Sequence, residues 1–119
     1  MDILRLKGLK FRGLHGVYDD ERINGNDFEV DLTFYLSLQN AATSDNLKDT
    51  LDYSRVYEIV RTVIHGPSVH LIEHLAHLIG LSLSQIVDSK TKFDVTVRKL
   101  KPPLPANIDY SEVTLSWPR

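Results

Sequence analysis

The chain has 119 residues and a formal net charge of −2, so it has the length of one domain and lacks the positive charge with which proteins bind nucleic acids or membrane surfaces. It contains no cysteine, which excludes disulfides, thiolate metal sites and cysteine nucleophiles. Because the sequence shows neither a signal-peptide pattern at its N-terminus nor an apolar run long enough to span a membrane, we expect a single cytoplasmic domain over residues 1–119, with no nucleic-acid or membrane partner.

Two strands separated by a long loop are predicted for the N-terminal third of the chain. In residues 3–13 the apolar side chains change parity on either side of Gly8, which predicts a β-bulge at that glycine. Residues 14–27 are mostly polar and are predicted to form a loop. Residues 28–38 alternate apolar and polar side chains without a break, which is the clearest strand pattern in the sequence.

Two amphipathic helices are predicted in the middle of the chain, after a polar connection over residues 39–50. Asp52 is a typical N-cap residue for the first helix, which is predicted to end near residue 65. The second helix is predicted from about residue 71 to residue 86. Its apolar residues form one stripe on a helical wheel: Ile72, Leu75, Ala76, Ile79, Leu83 and Ile86.

The C-terminal part of the chain is predicted to add two strands, residues 92–100 and 112–117. Strands that flank a helical pair favour an α+β fold, with a four-stranded antiparallel sheet and both helices packed on one face. The alternating strand of residues 28–38 is not guarded by proline, and Leu78 and Leu81 lie off the apolar stripe of the second helix. We therefore expect a homo-oligomer in which copies of the chain close each other's sheet edges.

A lysine breaks the alternating pattern of the third strand. Lys99 follows Phe93, Val95 and Val97 on the apolar face, and the proline-rich segment 100–105 cannot continue the strand. An ammonium group at such a position either reaches out to solvent or is held at the rim of a cavity. Because functional groups collect where a strand end breaks the pattern, Lys99 is a candidate site residue.

Three further residues are candidates on weaker grounds. Glu73 lies in the predicted first turn of the second helix, where the helix dipole favours a carboxylate; there it can also accept two parallel N–H donors from the guanidine-like edge of a pterin or guanine. Tyr53 begins the first helix and is either an ordinary half-buried tyrosine or a phenol placed for proton transfer. Glu21 lies in the long loop after the first strand and is either solvated or functional.

The segment from His70 to His74 matches the H-x-x-E-H pattern of some zinc proteases. A catalytic zinc site needs three protein ligands, and the only glutamate after His74 is Glu112, in the last strand. On the helical wheel His70, His74 and His77 lie opposite the apolar stripe, where solvent is expected. We therefore expect no metal site.

The order and spacing of many short segments resemble the dihydroneopterin aldolase family over nearly the whole chain. The matching segments are residues 11–17 (FRGLHGV), Glu21, Gly25 with 28–31 (FEVD), 45–46 (DN), 49–53 (DTLDY), 71–76 (LIEHLA), 95–99 (VTVRK) and 102–105 (PPLP). Two departures are Ala106, where the family usually has glycine, and Asn26, where glutamine is common.

The resemblance implies the tunnelling fold, in which four subunits pool their strands into a barrel and two such rings stack into an octamer. It also implies sites at subunit interfaces, with the segment around Tyr53 supplied by a neighbour. By the same resemblance Glu73 anchors the pterin, backbone amides of Leu51 and Ile72 bind the rest of its edge, and Glu21 is the acidic loop residue. Lys99 and Tyr53 are then the catalytic groups, and no cofactor is expected.

The activity that the resemblance implies is the retro-aldol cleavage of 7,8-dihydroneopterin in folate biosynthesis. One alternative is a 2′-epimerase of dihydroneopterin or its triphosphate, for which the sequence offers the cations Arg12, Arg22 and Lys101. A second is a pterin- or purine-binding oligomer without turnover, which would retain Glu73. A third is a purely structural oligomer, but a structural role does not explain why Tyr53 and Lys99 are both present.

Overall fold

The computed structural model describes residues 1–119 as four strands, four α-helices and a 3-10 turn. In chain order these are β1 (Asp2–Gly13), α1 (Asp19–Asn24), β2 (Asn26–Leu36), α2 (Gln39–Ser44), the turn Leu47–Asp49, α3 (Tyr53–Ile64), α4 (Ile72–Leu83), β3 (Lys92–Lys99) and β4 (Ser111–Trp117). The strands form one antiparallel sheet in the order β1-β2-β3-β4. The predicted α+β architecture is therefore confirmed. None of the helices is long and apolar enough to cross a membrane.

The hydrophobic core lies between one face of the sheet and the two long helices, α3 and α4. Sixteen buried apolar residues form a single cluster, drawn from all four strands and both helices. Asp52 caps α3 as predicted, because its Oδ1 accepts a hydrogen bond from the backbone N–H of Ser54 at 3.0 Å. The apolar stripe of α4 is buried as predicted at Leu75, Ala76, Ile79 and Leu83.

The predicted bulge in β1 is present at Gly8. The register between β1 and β2 shifts between Leu6 and Leu9, and Gly8 has a φ of 69°. Its backbone N–H donates to Oδ1 of Asp31 at 2.7 Å. This hydrogen bond to a side chain replaces a backbone hydrogen bond that the bulge removes from the ladder.

Two contacts fix the direction of α4 over the sheet. A Cβ atom on Gly80 would lie only 1.9 Å from Nε1 of Trp117, so the C-terminal half of α4 lies directly against the end of β4, where Trp117 pairs with Phe93. Before the helix, Val69 is bonded to the loop that follows β1, at the opposite end of the sheet. The first turn of α4 therefore faces the end of the sheet where β3 finishes at Lys99.

The structure differs from the sequence-based expectations in three respects. The helix α4 ends at Leu83 rather than near residue 86, and β2 ends at Leu36 rather than at residue 38. The segments 14–27 and 39–50, predicted as loops, contain the six-residue helices α1 and α2. The strand of residues 28–38 was expected to help form an open edge, and this was wrong: β2 is an inner strand that pairs with β1 and β3 along its length. The open edges belong to β1 and β4.

Candidate active site

A buried ion pair joins the end of β3 to the helix α1. Lys99 is the last residue of β3, and the alternation of the strand directs its side chain to the core face, where the residue is only 8% exposed. Its Nζ donates a hydrogen bond to Oε2 of Glu21 at 2.9 Å, and Glu21 is itself 7% exposed. The lysine that breaks the apolar pattern is thus held at a strand end by a carboxylate from the preceding loop region.

Glu21 is held as an anion by three donors. Besides Lys99, Nδ2 of Asn26 donates to its Oε2 at 2.8 Å and the backbone N–H of Tyr18 donates to its Oε1 at 3.3 Å. Burial alone would raise the pKa of Glu21, but the hydrogen bonds from Lys99, Tyr18 and Asn26 outweigh that effect and lower the pKa below its ordinary value. The pair therefore presents an ammonium and a carboxylate, both largely out of water.

The loop between β1 and α1 is tied down by Arg22. Its Nη1 donates to the carbonyl oxygens of Gly16 at 2.8 Å and of Val17 at 2.6 Å. A Cβ atom on Gly16 would lie 2.5 Å from the side chain of Glu21, so this close approach of backbone to carboxylate requires glycine. The local sequence thereby fixes the position from which Glu21 reaches Lys99.

His15 lies in the same loop and is 2% exposed. Its Nε2 is 2.7 Å from the carbonyl oxygen of Ile64, and its Nδ1 accepts a hydrogen bond from the backbone N–H of Val69 at 3.1 Å. Burial lowers the pKa of His15, which favours the neutral ring that these two contacts need. His15 and Asn26 are the site neighbours whose contacts the sequence did not predict, although both lie within or beside the family-like segments.

Glu73 and Ile72 lie in the first turn of α4, on the side of the sheet end that carries the ion pair. Ile72 is half-buried against the core, whereas the Glu73 side chain is exposed. Glu73 has no ion-pair or hydrogen-bond partner in the chain, so its carboxylate is available to a ligand. The structure thus brings Glu21, Lys99, Ile72 and Glu73 to one end of the sheet.

Tyr53 and Leu51 are not brought to this end within one chain. Tyr53 is 58% exposed and lines an apolar groove with Leu6, Leu9 and Tyr57, beside the open edge of β1. Leu51 lines a separate cavity of about 540 Å³ that includes Leu36 and Thr91, near the opposite end of the sheet from Lys99. Four of the six predicted site residues therefore lie together at one end of the sheet, and the other two lie at separate places away from it.

The two histidines of the zinc-like pattern, His70 and His74, are exposed, as is His77 one turn further along α4. His74 and His77 stack on each other with ring centroids 6.0 Å apart, and His77 also lies against Trp117. The structure has no group of three or more His, Asp or Glu side chains placed to hold a metal ion.

The fold and this end of the sheet define a class of protein: a small α+β domain with a buried Lys–Glu pair beside an exposed helix carboxylate, a set of groups suited to proton transfer and to binding a polar heterocycle. The family model described as "FolB: Dihydroneopterin aldolase" matches residues 4–116. The chain belongs to the dihydroneopterin aldolase family.

Curated relatives agree with this assignment. A dihydroneopterin aldolase of Staphylococcus epidermidis is 38% identical over 108 residues, which cover 91% of this chain and 89% of the relative. The dihydroneopterin aldolase of Bacillus subtilis is 33% identical over 119 residues, covering 100% and 98% of the two chains.

Solved structures share the fold. Escherichia coli dihydroneopterin aldolase in complex with neopterin aligns with a TM-score of 0.88 at 24% identity, covering 99% of this chain and 100% of that one. A Burkholderia thailendensis dihydroneopterin aldolase bound to guanine aligns with a TM-score of 0.75 at 17% identity, covering 99% and 91%.

Proposed function

We propose that this protein is a dihydroneopterin aldolase, a lyase that cleaves 7,8-dihydroneopterin into 6-hydroxymethyl-7,8-dihydropterin and glycolaldehyde in folate biosynthesis. The observation that carries the proposal is the buried Lys99–Glu21 pair, which lies at the same end of the sheet as the unpaired Glu73 carboxylate in a chain of this family. The neopterin and guanine in the two related structures have the planar amide-and-amine edge that such a carboxylate binds.

Glu73 anchors the pterin in this proposal. Its carboxylate accepts the 2-amino group and N3–H of the pterin in two parallel hydrogen bonds. The position of Glu73 in the first turn of α4 adds the positive end of the helix dipole, which stabilises the anion. The backbone amides of Ile72 and Leu51 bind the remaining polar atoms of the ring edge.

The chemistry is a retro-aldol cleavage. A base removes the proton of the side-chain 2′-hydroxyl, the C1′–C2′ bond breaks to release glycolaldehyde, and the electron pair passes into the N5=C6 imine of the dihydropterin to form an enamine. The imine is itself the electron sink, so the reaction needs neither a metal ion nor a lysine Schiff base. Lys99, oriented by Glu21, polarises N5 and moves protons through a bound water. Tyr53 then protonates the enamine carbon, which becomes the hydroxymethyl group.

Tyr53 reaches this site from a neighbouring subunit. Its exposed position on the groove beside β1, away from Lys99 of its own chain, supports this arrangement. The open edges of β1 and β4 support the pooling of strands into a tetrameric barrel of the tunnelling fold, two of which stack into an octamer. Leu51, which also lies apart from the ion pair, belongs to the same contributed segment.

The triphosphate epimerase is the less favoured alternative. Two of the three cations that it would need are engaged within the chain: Arg12 with Asp27 at 3.1 Å and with the carbonyl oxygen of Asn24, and Arg22 with the loop carbonyls. Epimerisation of dihydroneopterin itself uses the same bond cleavage followed by its reversal. That activity therefore accompanies the aldolase reaction whenever the enamine adds back to glycolaldehyde before the aldehyde leaves the site.

One assay tests the function. The protein is incubated with 7,8-dihydroneopterin in buffer that contains EDTA, and the products are separated by chromatography, with Lys99→Met as the inactive control. We expect glycolaldehyde and 6-hydroxymethyl-7,8-dihydropterin in equal amounts. A protein that forms only the 2′-epimer is an epimerase, one that binds neopterin without any product is a binding protein, and loss of turnover in EDTA with recovery on adding zinc contradicts the metal-free mechanism.

A further inference from the structure

The catalytic scheme leaves the buried side chain of His15 without a role, although both of its ring nitrogens are engaged. Val69 N–H donates to Nδ1 at 3.1 Å, so Nδ1 carries no proton and the ring proton is on Nε2, which donates to the carbonyl oxygen of Ile64 at 2.7 Å. The neighbouring N–H of Gly16 donates to the carbonyl oxygen of Val69 at 2.9 Å. The loop after β1 therefore clamps Val69 through both of its backbone polar groups.

This clamp connects the two halves of the candidate site. On one side, Nδ2 of Asn26 lies 3.4 Å from the carbonyl oxygen of His15 and donates to Glu21, the partner of Lys99. On the other side, Val69 lies three positions before Ile72, the first residue of α4, and four before Glu73. The position of the α4 first turn relative to the ion pair thus depends on the contacts between the loop and Val69.

We propose that His15 is a positioning residue: through its hydrogen bond to the Val69 amide it sets the position of Glu73, and hence of the pterin, relative to the Lys99–Glu21 pair. The role rests on the proposed function, because Glu73 is the pterin anchor there. A second bond, from Nε2 to Ile64, holds the end of α3 and serves stability.

The ring must be neutral for both bonds to form together. The charged or titratable groups that act on it are His65, at the end of α3, and Lys99, and both oppose a second proton on the imidazole. A protonated ring would place an N–H against the Val69 amide, donor against donor, and would release the segment before α4.

Two near-isosteric variants separate the two bonds. In His15→Asn the amide oxygen replaces Nδ1 and can still accept from Val69, whereas nothing reaches Ile64. In His15→Gln the amide nitrogen replaces Nε2 and can still donate to Ile64, whereas the Val69 amide loses its acceptor. Each variant loses one buried hydrogen bond, so both are expected to unfold more easily than the wild type.

The deciding measurements are fluorescence titrations with neopterin and steady-state kinetics with 7,8-dihydroneopterin, both on the assembled oligomer. We expect His15→Asn to bind neopterin within about threefold of the wild type and His15→Gln to bind roughly tenfold more weakly, the factor for one unsatisfied buried donor. The loss in His15→Gln should appear in KM, with kcat at saturation nearly unchanged. Equal affinity in the two variants, whether unchanged or reduced in both, overturns the role.

If either variant fails to fold, hydrogen–deuterium exchange of the wild type decides. Neopterin should slow exchange at the Val69 amide together with the amides of residues 14–18, and protection confined to α4 contradicts the coupling. A wild type that binds no neopterin contradicts the proposed function and this role with it. A wild type that binds while His15→Gln binds equally well contradicts the role of His15 alone.

Discussion

Nζ of Lys99 lies 2.9 Å from Oε2 of Glu21, although the two residues are 78 positions apart in the chain. The side chains are 10% and 8% exposed, so this ion pair is largely removed from water. Desolvation of two charges costs several kcal/mol, and only their mutual attraction and the additional donors to Glu21 offset it. Such a pair adds little net stability, so stability alone does not explain its presence at the end of β3.

The stability of the fold should respond very differently to single and double substitutions of this pair. Glu21→Gln or Lys99→Met leaves one buried charge unpaired and is expected to lower the free energy of unfolding by about 3–5 kcal/mol. The double variant carries no buried charge and should be within about 1 kcal/mol of the wild type, or more stable. Urea unfolding at one fixed protein concentration measures all three.

The exposed pair Arg12–Asp27 provides the control for that cycle. Its side chains are 58% and 44% exposed at an N···O distance of 3.1 Å. Arg12→Met and Asp27→Asn should each cost less than about 1 kcal/mol, because water solvates the remaining charge. If the single variants at Glu21 and Lys99 are as mild as these, the pair is not buried in the assembled protein.

The elements of the fold that could be predicted are those whose own residues form a recognisable pattern. Alternation gave the strands, the 3.6-residue stripe gave α3 and α4, and the parity change at Gly8 gave the bulge. The helices α1 and α2 have six residues each, too short for a periodic pattern. Strand order carries no local signal either, so the inner position of β2 could not be predicted from its alternation.

From the residues alone, the candidate site was predictable only where a residue breaks the polar and apolar pattern of its own strand or helix. Lys99 stands out because an ammonium occupies an apolar position. Glu21 does not, because its burial depends on Asn26, Tyr18 and a close approach at Gly16 that no spacing rule shows. Its assignment came from the family resemblance. The separation of Tyr53 from Lys99 is a property of the folded chain and not of the sequence pattern.

Acid sensitivity should arise in part from Asp31, on the sheet face opposite the helices. Burial alone would raise its pKa, but hydrogen bonds from Arg98 and from the Gly8 amide, with the charges of Arg98 and Lys7, lower the pKa from 3.8 to about 2. Because the pKa of Asp31 is lower in the folded state, its carboxylate stabilises the fold at every pH above the pKa of the unfolded state. This stabilisation is lost as the pH falls from about 4 to about 2. The loss is about 2 kcal/mol.

The variant Asp31→Asn tests this linkage. It should be less stable than the wild type at pH 7, and the difference should shrink between pH 4 and pH 2 as the wild type loses its advantage. Thermal or urea unfolding across this pH range measures the effect. Asp109→Asn, which removes a carboxylate at an exposed position, is the control for the loss of one acidic side chain. A constant difference between Asp31→Asn and the wild type contradicts the assignment.

Subunit mixing tests whether Tyr53 acts across an interface. Tyr53→Phe and Lys99→Ala should each be inactive alone. After the two are dissociated and reassembled together, about a quarter of the sites should combine an intact Lys99 with an intact Tyr53 if subunits exchange at random. Activity measured by glycolaldehyde release should recover accordingly.

Mixing Lys99→Ala with Glu73→Ala is the matched control, since both residues come from the same subunit and every mixed site keeps one defect. Recovery in this control, or none in the Tyr53 experiment when light scattering shows that mixed oligomers form, contradicts the shared site. A stable monomer near 13.6 kDa that retains full turnover contradicts it as well.

The last prediction separates binding from chemistry. Glu73 is proposed to hold the pterin equally in the ground and transition states. Glu73→Gln should therefore weaken neopterin binding by about 2–4 kcal/mol, because hydrogen bonds to a charged group contribute about 1.5–3 kcal/mol each. Lys99→Ala should instead lower kcat by roughly 10²–10⁴, the scale of positioned proton transfer, and raise the pterin Kd far less. Tyr53→Phe keeps the aromatic ring and loses only the hydroxyl group, so it should bind pterin normally and fail at the final protonation, with reduced hydroxymethyl product or a diverted intermediate.

Fluorescence titrations give the pterin Kd of each variant, and single-turnover kinetics give the rate of the chemical step. If Lys99→Ala binds poorly yet turns over normally once saturated, Lys99 is only a binding residue and the proton-transfer mechanism is wrong.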